Sequence, residues 1–358
     1  MFIEKYALKK NDILFSHINS DVHLGKTAIF KNQTNILIHG INLLLIRLSK
    51  DALPDFFNYQ FRYKRKNGEF ISIAQKSVNQ SSINQPGLKN LDFVLPPLPT
   101  QLSIVSKIEE LFSELDAGIA NLKTAQEQLK TYRQSVLKWA FEGKLTNKKV
   151  KDGDLPKGWI EKEIKDVCEN IKVGIVIKPS NFYTKDGKGI KAFRSANVRE
   201  LYINDTDWVY FSEESNEINY RTKLKKGDVL LVRSGYPGTS CIVTEKFDGC
   251  NAIDILIASP LKSEILPEYL CYFNNSPLGK GMFMAKSRGV AQKHLNVGEY
   301  SKLKIFVPTI AEQKNIILEI ESYLSVADKM EESIKQSLQQ AEALRQSILK
   351  KAFEGGLI

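Results

Sequence analysis

Cysteine is scarce, 4 in 358 residues, and none of Cys168, Cys241, Cys250 and Cys271 sits in a C-x-x-C pair or beside histidine at metal-ligand spacing. That excludes a disulfide scaffold and a zinc module, and reads as four reduced thiols, mostly buried, with no metal site. Histidine is equally rare: His17, His23, His39 and His294 form no H-E-x-x-H. There is no G-x-S-x-G elbow, no G-x-G-x-x-G cofactor loop, and no N-P-P-[FY] or D-P-P-Y tetrad for methylating a base amino group. One stretch imitates a catalytic motif: "SDVHLGKTAIF" (20–30) ends its loop in Gly25-Lys26-Thr27, like a phosphate-binding loop. Ser20 stands where the first glycine is needed, and "AIF" continues as a strand rather than as the helix whose N-terminus would hold the anion, so a hairpin turn is expected there. No apolar run approaches the ~18 residues of a membrane span, and "MFIEKYALKK" is no signal peptide, so a soluble, cytoplasmic, non-catalytic chain is expected.

What is present is basic charge and a repeat. The chain has 51 Lys+Arg against 41 Asp+Glu, and the excess is uneven: residues 1–100 carry 13 basic and 7 acidic side chains, 151–305 carry 24 and 20, and 306–358 carry 6 and 8. Two basic bodies follow, compatible with a polyanionic partner and equally with a soluble protein that is merely basic. The phrase "RQSVLKWAFEGKLT" (133–146) returns as "RQSILKKAFEGGLI" (345–358), 212 positions later. At that offset Gln101 meets Gln313, Pro96 meets Pro308, Asp116 meets Asp328 and "QSSIN" (80–84) meets "QKHLN" (292–296), while "LKKNDILF" (8–15) meets "LKKGDVLL" (224–231) with a small change of offset. A period this long means two copies of a whole module, not a solenoid.

Each module ends in a helical pattern. Apolar residues recur at steps of three and four without proline, and Gly143 and Gly355 stand where the helices should stop. The pairing positions are read as Ile104, Ile108, Leu111, Leu115, Leu122 and Leu129 on the first helix, and Ile320, Tyr323, Ile334, Leu338, Leu344 and Ile348 on the second. So narrow a stripe wants a partner helix, and each copy supplies one for the other. At 1.5 Å per residue, about 42 residues would span roughly 63 Å, or roughly 18 base pairs; a ruler and a plain packing core both fit the pattern. The bodies are strand-rich, as in "LKKGDVLLVRSGYPGTSCIV" (224–243). The fold expected is α+β: two globular bodies and two long, antiparallel coiled-coil helices related by a pseudo-two-fold repeat. The expected divisions are 1–100, a helix 101–146, a linker 147–154, a second body 155–308 and a helix 309–358.

"VPTIAEQKNII…EALRQSILKKAFEGGLI", "LPPLPTQLSIVSKI…YRQSVLKWAFEGKLT" and "LPKGW" together resemble the specificity (S) subunit of type I restriction–modification systems, over nearly the whole chain. The resemblance implies two target recognition domains, each reading one half of a bipartite double-stranded DNA site, on helices that set the spacer and dock two methyltransferase (M) subunits. Restriction/translocase (R) subunits complete the complex; S-adenosylmethionine, ATP and Mg belong to those partners, and this chain binds no cofactor. The second module runs from Leu155 to Leu224 before its "LKKGD", whereas seven residues precede Leu8 in the first, so roughly sixty residues of the first recognition domain have no counterpart. An alternative follows: a truncated or recombined form that occupies the methyltransferase as a regulatory or structural partner and reads at most one half-site. Base reading needs side chains that reach groove edges. The candidates are Arg194, Asn197, Arg233, Ser234, Tyr236, Lys286, Arg288 and Gln292 in the second body, and Ser16, His17, Asn19, Lys26, Lys76 and Gln80 in the first.

Overall fold

The computed structural model describes residues 7–31, 36–147, 149–151, 153–286 and 295–358. The chain divides into two compact units, one comprising the residues up to Gln126 with Glu332–Ile358, the other Glu127–Glu331. In chain order the elements are β1 (Ile13–Ser16), β2 (Ile18–Asn19), β3 (Thr27–Ile29), β4 (Leu43–Ile46), α1 (Pro54–Lys66), α2 (Glu69–Ser72), β5 (Gln75–Lys76), β6 (Ser81–Ser82), α3 (Gln85–Lys89) and the long α4 (Leu98–Phe141). Then follow β7 (Ile160–Glu163), β8 (Cys168–Val173), β9 (Ile190–Phe193), β10 (Val209–Phe211), α5 (Glu213–Ile218), β11 (Val229–Val232), β12 (Ser240–Ile242), β13 (Asn251–Ala252), β14 (Ile255–Pro260), α6 (Pro267–Asn275), α7 (Pro277–Lys286), α8 (Val297–Ser301), β15 (Lys304–Val307) and the long α9 (Ile310–Glu354).

In the first unit β1 is the central strand, antiparallel to β3 (Ile13↔Ile29) and to β4 (Ile13↔Ile46). Helix α1 begins on Pro54, whose fixed φ suits a first turn, and ends in Lys64, Arg65 and Lys66, which complement the helix dipole. Its Phe56, Phe57 and Phe61 pack with Phe15, Phe70 and Ile104, Ile108, Ile348 and Leu349 of the long helices in one core. In the second unit the sheet order is β12-β11-β14-β8, all antiparallel. Both faces of β11 are covered, which explains its unbroken "VLLV": Val229 and Leu231 pack with Tyr269 and Phe273, while Leu230 and Val232 pack with Phe193 and Phe247.

The two units repeat each other in detail. The order β3-β1-β4 matches β12-β11-β14, and β8 has no counterpart among the described residues of the first unit. Asp12 accepts the Lys9 N–H (2.6 Å) as Asp228 accepts the Lys225 N–H (2.8 Å), closing the same turn before the same strand. Burial pushes the Asp12 carboxyl up, but hydrogen bonds from Arg47 and from Lys9 N hold it below its ordinary value on balance. Asn84 and Asn296 cap α3 and α8, accepting from Gly87 N (2.7 Å) and Glu299 N (2.8 Å). All four cysteines are free, and burial pushes the Cys168 and Cys271 thiols up to about 12.

The long helices pair antiparallel within each unit: Asp116 of α4 meets Arg345 of α9 in the first, and Arg133 of α4 meets Asp328 of α9 (2.7 Å) in the second. Helix α4 stops two residues before Gly143 (φ 73°) and α9 one residue before Gly355 (φ 87°). The inward line on α9 is Gln313, Ile317, Ile320, Leu324, Ala327, Ile334, Ala341, Ile348 and Ala352, all buried, and its counterparts on α4 include Gln101, Val105, Ile108, Phe112, Val136 and Ala140. On α9 these positions are three, four or seven residues apart, a 3.5-residue repeat. Tyr323 (39% exposed) and Leu344 (52%), two of the expected pairing residues, are exposed rather than buried, yet each lines a groove with residues of the other helix: Tyr323 with Tyr132 and Val136, Leu344 with Leu111 and Leu115. Leu111, Leu115, Leu122, Leu129 and Leu338 are half-buried, while Ile104, Ile108, Ile320, Ile334 and Ile348 are buried.

Each long helix is tied to its body by a fully buried glutamine. The Gln101 amide donates to Asp51 O and Pro96 O (both 2.8 Å) and accepts the Leu53 N–H (2.8 Å). The Gln313 amide donates to Glu264 O (2.9 Å) and Pro308 O (3.0 Å) and accepts the Leu266 N–H (2.9 Å). Gln313→Leu keeps the volume but strands three main-chain groups; the expected cost is about 3 kcal/mol of stability, read as a lowered urea midpoint. An unchanged midpoint would show that the clamp does not hold the helix to the body.

Candidate nucleic-acid interface

The two hairpins that follow the shared turn are built on one device. In the second unit Gly238 (φ 90°) lies so close to Phe283 that a Cβ there would stand 2.0 Å from the ring; in the first, Gly25 (φ 72°) meets Phe70 in the same way, at 2.3 Å. Gly238 N donates to Val232 O (3.0 Å) and Val232 N to Thr239 O (2.9 Å), as Gly25 N donates to Ser16 O (2.8 Å) and Ser16 N to Lys26 O (2.9 Å). Gly25-Lys26-Thr27 is therefore a hairpin closure leading into β3, as the sequence implied, with Thr27 Oγ1 donating to Asn58 Oδ1 (2.7 Å).

Between strand and lock the units diverge. The second has five residues, Arg233–Pro237, and the first has eight, His17–Leu24. The first residue of each loop holds it down. Arg233 is buried, donating Nε to Leu295 O (3.1 Å) and Nη1 to Asp254 (2.6 Å); His17 places Nδ1 at 3.2 Å from Ile83 O, the carbonyl matching Leu295 O, and Nε2 at 3.0 Å from Ile41 O. The Arg233 and His17 carbonyls in turn accept from Leu295 N (2.9 Å) and Ile83 N (2.8 Å). Arg233 and His17 thus frame the loops. Ser234 and Tyr236 are exposed, Tyr236 at 83%. Beside them a pocket of about 910 Å³ opens, lined by Ser195, Arg199, Tyr236, Lys280 and Met284 among others.

Asn197 was read as a base-reading candidate, but it is fully buried: its amide accepts Arg194 N (3.0 Å) and donates to Asn204 O (3.2 Å) and Thr206 O (2.9 Å), stitching a loop together. Arg194 is half-exposed and engaged with Asp207, through the carboxylate at 3.1 Å and the carbonyl. Lys286 ends α7 with its side chain outside the described residues, and Arg288 and Gln292 lie outside them altogether. In the first unit Ser16 is buried and accepts from Asn19 Nδ2 (3.1 Å). Asn19, Ser81 and Lys76 sit side by side across the small sheet β2-β6-β5, so Asn19 and Lys76 do share one surface with the loop. Lys26, Lys76 and Gln80 are exposed, as is Val78 (97%) at the tip between β5 and β6, which nothing in the sequence marked. A salt-linked corner lies on β9: hydrogen bonds from Lys191, then Lys246, hold the Asp205 carboxyl well below the usual carboxylate range. Lys191 also sits 4.9 Å from the Trp208 ring centre.

A second duplicated feature lies along the helices. In the first unit Leu111, Leu344, Ile348, Lys351 and Leu357 line a groove of about 540 Å³. In the second, Tyr323, Tyr132, Val136, Trp139 and Leu145 line one of about 430 Å³. Each of these residues matches its counterpart at an offset of 212, and Trp139, 48% exposed, stands where the other groove has Lys351.

Each of the two strand-and-helix bodies carries a loop on a common lock and packs on its own stretch of the paired long helices. The type I restriction modification DNA specificity domain model matches residues 1–129 and 156–340, and the chain belongs to that family. It is 35% identical over 211 residues to the putative type I restriction enzyme MjaX specificity subunit of Methanocaldococcus jannaschii, covering 56% of this chain and 48% of that one. It is 28% identical over 295 residues to the EcoKI specificity subunit of Escherichia coli K12, covering 80% and 62%. The chain thus spans about half to two thirds of those relatives' lengths. Among solved structures, a component of a type I R-M system matches with a TM-score of 0.77 at 19% identity, over 98% of this chain and 83% of that one. The HsdS subunit from Thermoanaerobacter tengcongensis matches with 0.61 at 19%, over 98% and 82%. No helix among the described residues is long and apolar enough to cross a membrane.

Gly238→Ala should cost about 3 kcal/mol, the sum of a left-handed backbone and an overpacked ring. Gly235→Ala has a similar φ (83°) and nothing within 4 Å, and should cost only about 1 kcal/mol. Equal shifts in the urea midpoint would show that Phe283 does not form a lock.

Proposed function

We propose that this chain is the DNA sequence-recognition subunit of a type I restriction–modification complex, each unit reading one half of a bipartite double-stranded site. The observation that carries this reading is the duplicated hairpin: one frame, two different loops, on a chain with net charge +10. A sequence reader needs a rigid support for variable contacts, and this arrangement supplies one in each unit. The paired helices fix the spacer between the half-sites. The two matched grooves take two methyltransferase subunits, with restriction/translocase subunits joining the assembly. The chain performs no catalysis, and S-adenosylmethionine, ATP and Mg serve the partner subunits. One observation favours a second reading, in which the chain holds the methyltransferase but reads a single half-site: among its described residues the first unit has no counterpart of β8 or of the β10-β9-β13 sheet.

Adenine-methylation mapping by long-read sequencing, in cells that co-express the chain with its methyltransferase, separates these readings. Two specified halves around a fixed unspecified gap are expected. One specified half alone would support the second reading, and no methylation from a stable complex would overturn the first.

A further inference from the structure

The loop Arg233–Pro237 has a rigid base and a bare tip. Its base is fixed by the buried Arg233, by the turn bond from Thr239 N to Tyr236 O (3.3 Å), and by Gly238 against Phe283. At the tip, Gly235 takes φ 83° with open space around it, Pro237 is buried, and the Tyr236 ring between them is 83% exposed. A tyrosine this bare on a pinned loop offers a large contact area with only two side-chain torsions to fix, so ordering it against a partner costs little. The counterpart loop keeps the lock and changes the tip: it is three residues longer, ties β2 to β6, and raises Val22 (72% exposed) and His23 instead. The frame is common to both units and the tip is not, which is the division expected between support and readout.

We propose that Tyr236 is a specificity-determining residue, its ring packing against the bases of the half-site read by the second unit, with Arg233 as the positioning residue beneath it. This rests on the DNA-reading function proposed above. A flat ring against base edges or faces discriminates by shape and by the thymine methyl group, whereas a hydroxyl on a phosphate would not discriminate at all.

The test uses the full chain co-expressed with its methyltransferase, comparing methylation motifs for the native chain, Tyr236→Phe and Tyr236→Ala. Tyr236→Ala is expected to fold and co-purify normally, to relax the motif at one or more positions in one half only, and to lower methylation of the native sites about tenfold. Tyr236→Phe is expected to keep the native motif. An unchanged motif in Tyr236→Ala overturns the proposal. So does a uniform loss across all sites, or a Phe variant that behaves like Ala, since both point to a phosphate contact through the hydroxyl. If the native chain directs no methylation while the complex forms, the DNA-reading function fails, and this assignment falls with it.

Discussion

A helix of 44 or 45 residues with an apolar seam every 3.5 positions has no means of shielding that seam alone in water. Here two such helices, written from one template, pair antiparallel within each unit. Burying a Leu, Ile or Phe side chain is worth about 1.5–3 kcal/mol, while the exposed pairs Arg133–Asp328 and Arg345–Asp116 are each worth at most about 1 kcal/mol. Packing therefore holds the seam, and the ion pairs choose its register. The same arginine and the same aspartate serve in both units, 212 positions apart, because an antiparallel pair of like helices has to present each residue twice. Everything else attaches to that pair. Gln101 and Gln313, at the roots of the helices, transmit the constraint to the bodies through three main-chain hydrogen bonds each.

A support for variable loops must combine rigidity with freedom to vary. The hairpin lock divides these demands within about ten residues. Gly25 and Gly238 are held where only glycine fits, against Phe70 and Phe283, and the strands on either side keep their pairing. The loop between strand and lock then changes length and content without disturbing its support. The duplicated grooves follow the same rule. Their positions are fixed by the helix repeat, while Trp139 and Lys351 give them different chemistry.

Much of this was legible in the residues. The 212-residue repeat, the helix stops at Gly143 and Gly355, and the decoy at Gly25-Lys26-Thr27 all follow from sequence pattern. Helix phase was less legible: a 3.5-residue repeat leaves positions 323 and 324 equally close to the seam, and packing rather than pattern buries Leu324 and leaves Tyr323 on the rim of a groove. The surface proposed to read DNA was the least legible. Arg233 and Asn197 have the chemistry of base readers but are buried, Arg233 on the main chain of Leu295 far along the sequence and Asn197 on the main chain of its own loop at Asn204 and Thr206. Val78 is apolar and invites burial, yet it stands at an open tip.

The claim on which the account turns is that every functional surface occurs twice in one chain. Native mass spectrometry of the chain purified with its methyltransferase measures this directly. The account predicts one copy of this chain with two of the methyltransferase, and a one-to-one intermediate that gives way as methyltransferase is added. A complex that stays at one to one when the methyltransferase is in large excess would contradict it.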